Sequence, residues 1–181
     1  MRKIIYSTIA SLDGFEANDS FEPTPDEHAA FNDLLAASDA IIFDRPNHDL
    51  LVPFWDDVDL ESGDLHDVER DFARIFRTKQ RFVVTEEPIE LEPQASAIDG
   101  DLIATISALR EEPGNQLFLA AGVDLFNDLL AAGLIDEIEV VLRPLISSGG
   151  QPAFAGSTGL LLQNVRALDS GSLVIRYTVQ R

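Results

Sequence analysis

Two segments of the chain have the pattern that binds anions, in which a short apolar strand runs directly into the start of a helix. Residues 119–124 read L-A-A-G-V-D, with Gly122 at the turn, and residues 42–49 read I-F-D-R-P-N-H-D, with Arg45 and Asn47 at the turn. The free N–H groups and the helix dipole at such a turn favour a phosphate. The alternatives are a tight strand-to-helix turn at Gly122 and a solvated surface arginine at Arg45.

Metal and nucleophile chemistry finds little support in the remaining polar residues. His28, His48 and His66 lack metal-ligand spacing, and the acidic segment around Asp64 and Asp67 is typical of a solvated charge run. The chain has no cysteine, which excludes disulfides, thiolate catalysis and cysteine-based zinc sites. It also lacks the nucleophile-elbow, phosphate-loop and H-E-x-x-H motifs. We therefore expect no metal, and hydrolase, kinase and metalloprotease functions are disfavoured.

The charge of the chain limits its partners. Its 32 acidic residues against 13 basic ones give a formal net charge of -19, and Lys3 and Lys79 are its two lysines. Such a surface repels nucleic acid and anionic membranes. The imbalance is typical of proteins from a high-salt cytoplasm, although an ordinary acidic protein is the alternative. With no apolar run long enough to span a membrane and no apparent signal peptide, we expect a soluble, cytoplasmic protein with a small-molecule partner.

The order of predicted elements favours an α/β fold. At 181 residues and 45% hydrophobic content, we expect a single domain over residues 1–181 with one substantial core. A capping box, T-P-D-E, precedes the first helix. Apolar runs and helical periodicity predict strands at 3–10, 40–43, 82–84, 117–120 and 138–142, and helices at 25–37, 67–77, 102–111 and 123–132.

The end of the chain differs from its beginning. Residues 161–168 and 173–179 flank D-S-G-S, which predicts an antiparallel hairpin. Alternating strands and helices followed by a hairpin predict a three-layer α/β/α domain whose mixed, mostly parallel sheet has an antiparallel edge. The apolar strands of the hairpin also suggest a homodimer contact.

Three segments together point to a known family. They are S-L-D-G-F at residues 11–15, the strand D-A-I-I-F at 39–43, and the helix end, strand and glycine-rich loop at 129–154. The chain resembles the dihydrofolate-reductase-like family, nearest the reductase domain of the bacterial bifunctional riboflavin-biosynthesis deaminase/reductase. The resemblance covers nearly the whole chain and implies an NADPH-dependent reductase. In that family the loop at 144–154 closes the substrate side, and Pro144, Gly149 and Gly150 are expected to shape its turn.

The resemblance also assigns the cofactor site, with two departures from the family pattern. Ala121 stands where the family has the first of two glycines beside the pyrophosphate, and Asp44 stands where it has a glycine before the conserved arginine. Asp44 could pair with Arg45 or point outward. The cofactor-binding residues implied for NADPH are Ile9, Ala10, Ala17, Phe43, Arg45, Asn47, Thr85, Ala121, Gly122, Val123 and Phe126.

The substrate side is assigned in the same way. Phe31 corresponds to the aromatic residue of the family's substrate pocket, and Trp55 either packs under a loop or lines that pocket. Family spacing places the proton donor near His28, with Asp26 as a second candidate. Glu27 is the third helical residue of the capping box, which explains it as a structural residue.

Two hypotheses of different classes follow. The first is an NADPH-dependent oxidoreductase that transfers hydride to a small flat heterocycle, such as a pterin or a pyrimidine precursor of riboflavin. The second is a catalytically degenerate homodimer on the same scaffold, with a ligand-binding or structural role. Gly122, Arg45 and the S-L-D-G segment favour the first, whereas Asp44 and Ala121 favour the second.

Overall fold

The computed structural model describes residues 1–16, 22–87 and 89–180. These residues form eight strands and five helices in one α/β unit. In chain order they are β1 (Lys3–Ser11), α1 (Pro25–Ala37), β2 (Ala40–Asp44), α2 (Arg45–Asp57), α3 (Asp67–Phe76), β3 (Gln80–Val84), β4 (Ala95–Ile98), α4 (Leu102–Glu111), β5 (Gln116–Ala120), α5 (Val123–Ala131), β6 (Glu137–Arg143), β7 (Leu160–Ala167) and β8 (Leu173–Val179).

All eight strands belong to one mixed sheet with the order β4-β3-β2-β5-β1-β6-β8-β7. The first six strands in this order, β4 through β6, run parallel to one another. Strand β8 pairs antiparallel with both β6 and β7. The predicted fold class, with its antiparallel C-terminal hairpin, is therefore confirmed. Because β1, β2 and β5 are parallel neighbours, their carboxyl ends meet at one edge of the sheet, where open α/β folds bind their ligands.

Helices cover both faces of the sheet because the side chains of each strand alternate between the faces. On one face, Ile4 and Tyr6 of β1 pack in a core with Leu125, Phe126 and Leu129 of α5. The opposite face carries a second core, formed by residues from α1, α2 and α3 with Ile5, Ile41, Phe43, Phe118 and Ala120 of the strands. The second core leads directly to the carboxyl edge of β1, β2 and β5.

A buried ion pair fixes helix α1 to the sheet. Glu27 accepts hydrogen bonds from the Arg143 guanidinium at 2.6 and 3.0 Å, from Ser172 Oγ at 2.7 Å and from the backbone N–H of Thr24 at 2.9 Å. The last contact is the reciprocal bond of the predicted capping box. Although burial raises the pKa of Glu27, the bonds from Arg143 and Ser172 bring it below its ordinary value. The prediction of a structural Glu27 agrees with these contacts.

The segment between β2 and β3 differs most from its prediction. Residues 45–57 form helix α2, so Trp55 lies within a helix rather than under a loop. Pro53 inside α2 and the acidic residues after it hide the helical periodicity. Strand β4 was not predicted, because A-S-A-I has little β propensity and forms by pairing with β3. None of the described helices is long and apolar enough to cross a membrane.

Candidate functional site

A cavity of about 440 Å³ opens at the carboxyl ends of β1, β2 and β5. This volume is within the range of small-molecule pockets. Its walls come from three strands and the three helices of the second core. The lining residues are Ser7, Thr8, Ile9, Glu16, Pro23, His28, Phe31, Phe43, Asn47, Leu50, Leu51, Trp55, Phe72, Phe76, Phe118, Ala120, Ala121 and Gly122.

Aromatic rings form much of the cavity wall. The rings of Trp55 and Phe72 lie 4.6 Å apart, and the imidazole of His28 meets both edge-on at 5.8 and 5.9 Å. Phe72 and Phe76 stack at 5.6 Å along α3. Packed rings hold one another in position and offer both faces and edges to a ligand. A flat ring is the ligand shape that this wall suits best.

Two residues that line the cavity each have a buried polar atom without a partner among the described residues. The two atoms are Nδ1 of His28 and Oγ of Ser7, and both side chains are more than nine-tenths buried. Burial lowers the pKa of His28, which favours a neutral imidazole near neutral pH. Because unsatisfied buried polar atoms cost free energy, a ligand group that reached either atom would gain a hydrogen bond there.

Within the part of the chain that the structure describes, one carboxyl group lines the cavity. Glu16 follows the S-L-D-G-F segment, and its backbone N–H donates to the carbonyl of Gln151 at 2.8 Å. Burial, and then the negative charge of Asp44, raise the pKa of Glu16 above its usual value. A carboxyl group of raised pKa keeps its proton to a higher pH than a free carboxyl group does, and Glu16 is thus a third candidate for proton transfer.

The carboxylate of Asp44 accepts hydrogen bonds from the backbone N–H groups at the two turns where an anion was predicted to bind. Its Oδ2 accepts the backbone N–H of Gly122 at 2.7 Å, and its Oδ1 accepts the backbone N–H and the Nδ2 of Asn47 at 2.9 and 2.8 Å. Asp44 is the N-cap of α2, and Gly122 is the N-cap of α5. One side chain therefore bridges the positive ends of two helices. It neither pairs with Arg45 nor points outward.

This arrangement does not fit the pyrophosphate of a dinucleotide. The N–H groups of Gly122 and Asn47 already donate to a carboxylate, and a phosphate beside it would meet a like charge. No lysine or arginine is among the described residues that line the cavity. Arg45 is half-exposed and pairs with Asp49 at 2.6 Å.

The methyl group of Ala121 is not the obstacle. Among the described non-glycine residues only Ser148 has a positive φ, so the backbone at Ala121 accepts a side chain without strain. Gly122 has an ordinary φ of -70°. A Cβ at Gly122 would lie 3.3 Å from Asp44 Oδ2, which is closer than most such contacts. The turn around Gly122 is therefore narrow because of the carboxylate of Asp44.

The structure brings about half of the sequence-predicted site residues into the cavity. Those that line it are Ile9, His28, Phe31, Phe43, Asn47, Trp55, Ala121 and Gly122. Ala10, Val123 and Phe126 are buried outside it, and Phe126 stacks on Tyr6 at 4.1 Å. Thr85 donates to the carbonyl of Glu87 at 2.8 Å, and Asp26 accepts from the backbone N–H of Ser170 at 2.8 Å. Ala17 lies outside the described residues.

The loop after β1 is held against the glycine-rich loop at residues 144–154. The carboxylate of Asp13 accepts the backbone N–H groups of Ser147 and Ser148, each at 3.0 Å. Hydrogen bonds from Ser11 and Ser147 lower the pKa of Asp13 to about 2. Gly149 and Gly150 have φ of 138° and 128°, a region that favours glycine. The predicted turn-forming role of these glycines agrees with their backbone angles.

Sequence reasoning missed several lining residues. Glu16 directly follows the S-L-D-G-F segment but carried no assigned role, and Ser7 is a small polar residue within a largely apolar strand. Phe72 and Phe76 are spaced by four on α3, which places both on one helix face. That spacing indicates burial but does not distinguish a core from a cavity wall.

Fold and cavity together define an α/β protein with a small-molecule site at the carboxyl edge of its sheet. The model of the RibD C-terminal domain family matches residues 2–174. The chain therefore belongs to that family, and the resemblance inferred from the sequence is confirmed.

Individual relatives agree with this assignment. The uncharacterized protein YyaP of Bacillus subtilis is 26% identical over 97% of this chain and 94% of its own length. A putative riboflavin biosynthesis protein from Shewanella sp. PV-4 superposes with a TM-score of 0.72 over 99% of both chains, at 20% identity. A pyrimidine reductase-like protein from Corynebacterium diphtheriae gives a TM-score of 0.70 over 99% of this chain and 92% of the other, at 14% identity. These two structures share the fold.

Proposed function

We propose that the protein is a reductase-type enzyme that binds a small flat heterocycle in the aromatic cavity. The observation that carries this proposal is the aromatic lining of the cavity together with two lining residues, His28 and Ser7, that each have an unpartnered buried polar atom. Family membership and the names of the two structural relatives, a putative riboflavin biosynthesis protein and a pyrimidine reductase-like protein, support it.

The chemistry that the cavity can assist is the reduction of a C=N bond. Hydride adds to the carbon while the nitrogen takes a proton, so the site must exclude water, orient the ring and supply one proton. The aromatic wall serves the first two tasks. Glu16 and His28 both reach the cavity, and they are the candidates for the third. The resemblance implies a reduced nicotinamide as the hydride donor, and the contacts of Asp44 disfavour a donor whose pyrophosphate must bind the N–H groups of Gly122 and Asn47.

A second candidate function is favoured by Asp44. Its carboxylate on the amides of Gly122 and Asn47 disfavours a dinucleotide, so the protein could bind a heterocycle without reducing it. Both candidate functions require a heterocycle to bind in the cavity, but only the first predicts that the heterocycle is reduced.

Turnover and binding can be separated by one set of assays. We would mix the protein in molar KCl with dihydropterin or an aminopyrimidine and with NADPH, NADH or reduced nicotinamide riboside, and follow nicotinamide absorbance. Ala121→Phe should fill the cavity and lower the rate at least tenfold, while Ala131→Phe, on the exposed end of α5, should not. Saturable quenching of Trp55 without turnover would support the second candidate. No quenching by any ring would contradict both.

A further inference from the structure

Asp44 gives the cavity a preference that the family pattern does not have. The residue is contributed by β2, and the amide that it reaches on Gly122 follows β5, 78 positions along the chain. Parallel pairing of Phe43 with Ala120 places the two strand ends side by side. A carboxylate therefore sits between two helix N-termini, where an anionic ligand would otherwise receive the same N–H groups.

The bonds of this carboxylate are satisfied within the protein. Three donors reach its two oxygens at 2.7 to 2.9 Å, all from backbone or amide groups. Charge-assisted hydrogen bonds of this kind are roughly twice as strong as neutral ones. A ligand phosphate would have to displace Asp44 and leave its charge nearby.

The charged groups around the cavity also disfavour a ligand phosphate. Glu16 adds a second carboxyl group, and the nearest arginine on α2, Arg45, is paired with Asp49. His28 is held neutral by burial. The described lining therefore offers no cation to a phosphate, yet it offers rings and two free polar atoms to a heterocycle.

We propose that Asp44 replaces a ligand phosphate and makes this cavity selective for a flat heterocycle, uncharged or cationic, that carries no phosphate group at the strand ends. The inference rests on the proposed function, since it assumes that the cavity binds a ring. Asp44 is thus a specificity-determining residue that accepts the helix N–H groups itself and rejects phosphorylated relatives of the ligand.

Reduced nicotinamide riboside and reduced nicotinamide mononucleotide test this, because they differ by one phosphate. Each would be titrated against wild type, Asp44→Gly, Asp44→Asn and Asp57→Asn in molar KCl, with quenching of Trp55 as the signal. Glycine and asparagine both serve as N-caps, so helix α2 should be retained, and circular dichroism would verify folding. Asp57→Asn removes one charge from an exposed position at the far end of the same helix and leaves the Arg45–Asp49 pair intact, so it is the matched control.

We expect wild type and Asp57→Asn to bind the riboside at least tenfold more tightly than the mononucleotide. Asp44→Gly should remove that preference by strengthening mononucleotide binding about tenfold, with riboside affinity changed less than twofold. Equal affinities for the two probes in wild type would overturn the proposed role of Asp44 and leave the proposed function standing. A preference that is unchanged in folded Asp44→Gly would do the same. If neither probe nor the pterin and pyrimidine rings bind any of the four folded proteins, the proposed function fails instead.

Discussion

Replacing Glu27 by glutamine tests whether this buried carboxylate is a structural residue or a proton donor. Glu27 is 1% exposed and its partner Arg143 is 6% exposed. Removing one member of a buried ion pair typically costs about 3–5 kcal/mol. The lower end applies here, because Arg143 also donates to the carbonyl of Glu22 at 3.2 Å. For a chain of this size, about 3 kcal/mol corresponds to a fall of roughly 6–12 °C in Tm.

Urea and thermal unfolding in molar KCl would measure this loss. Asp71→Asn is the control, since Asp71 and Arg74 form an ion pair in which both side chains are more than half exposed. Exposed pairs contribute about 0–1 kcal/mol, so the control should unfold close to wild type. If Glu27→Gln does not fold, Ser172→Ala removes a single bond to Glu27 and should cost about 1 kcal/mol.

The pH dependence of the free energy of unfolding is a second test of the Glu27–Arg143 ion pair. The pKa of Glu27 is depressed in the folded protein, so its stabilisation is complete above the unfolded value, near 4.3. It is lost as pH falls through the lower folded pKa. The stability difference between wild type and Glu27→Gln should therefore stay constant above about pH 5 and narrow below it. A variant as stable as wild type that has lost turnover would refute the structural role.

Three further predictions concern the cavity, the surface charge and the hairpin. His28→Phe keeps the edge-on contacts with Trp55 and Phe72 but removes the ring nitrogens. The Tm should therefore stay the same, while heterocycle binding should weaken by about tenfold, which corresponds to one lost hydrogen bond. Unchanged binding would exclude Nδ1 as a ligand contact. The melting temperature should fall as KCl is removed, because a net charge of -19 repels itself at low ionic strength, and a flat melting curve would identify an ordinary acidic protein. Strand β7 forms an edge of the sheet and is exposed along its whole length, with Leu161 54% and Leu162 53% exposed. Light scattering should therefore give the mass of a dimer, and Leu161→Lys should reduce it to that of a monomer. A monomeric wild type would contradict this prediction.

Local signals in the sequence identified most elements of the fold. The T-P-D-E box begins α1 at Pro25, and helix α4 has the predicted bounds, 102–111. The hairpin and the two strand-to-helix turns were equally readable, because caps, glycines and apolar periodicity act within a few residues of the chain. These features determined the fold class and located the cavity at the strand ends.

Tertiary structure decided what those local signals could not. The carboxylate of Asp44 had several possible partners within its own segment, but the parallel pairing of β2 with β5 brought the amide of Gly122 to 2.7 Å. Phe72 and Phe76 became cavity walls only because α3 packs over the same strand ends. A sequence pattern specifies backbone conformation over short range, whereas the partner of a charge depends on which strands are neighbours in the sheet.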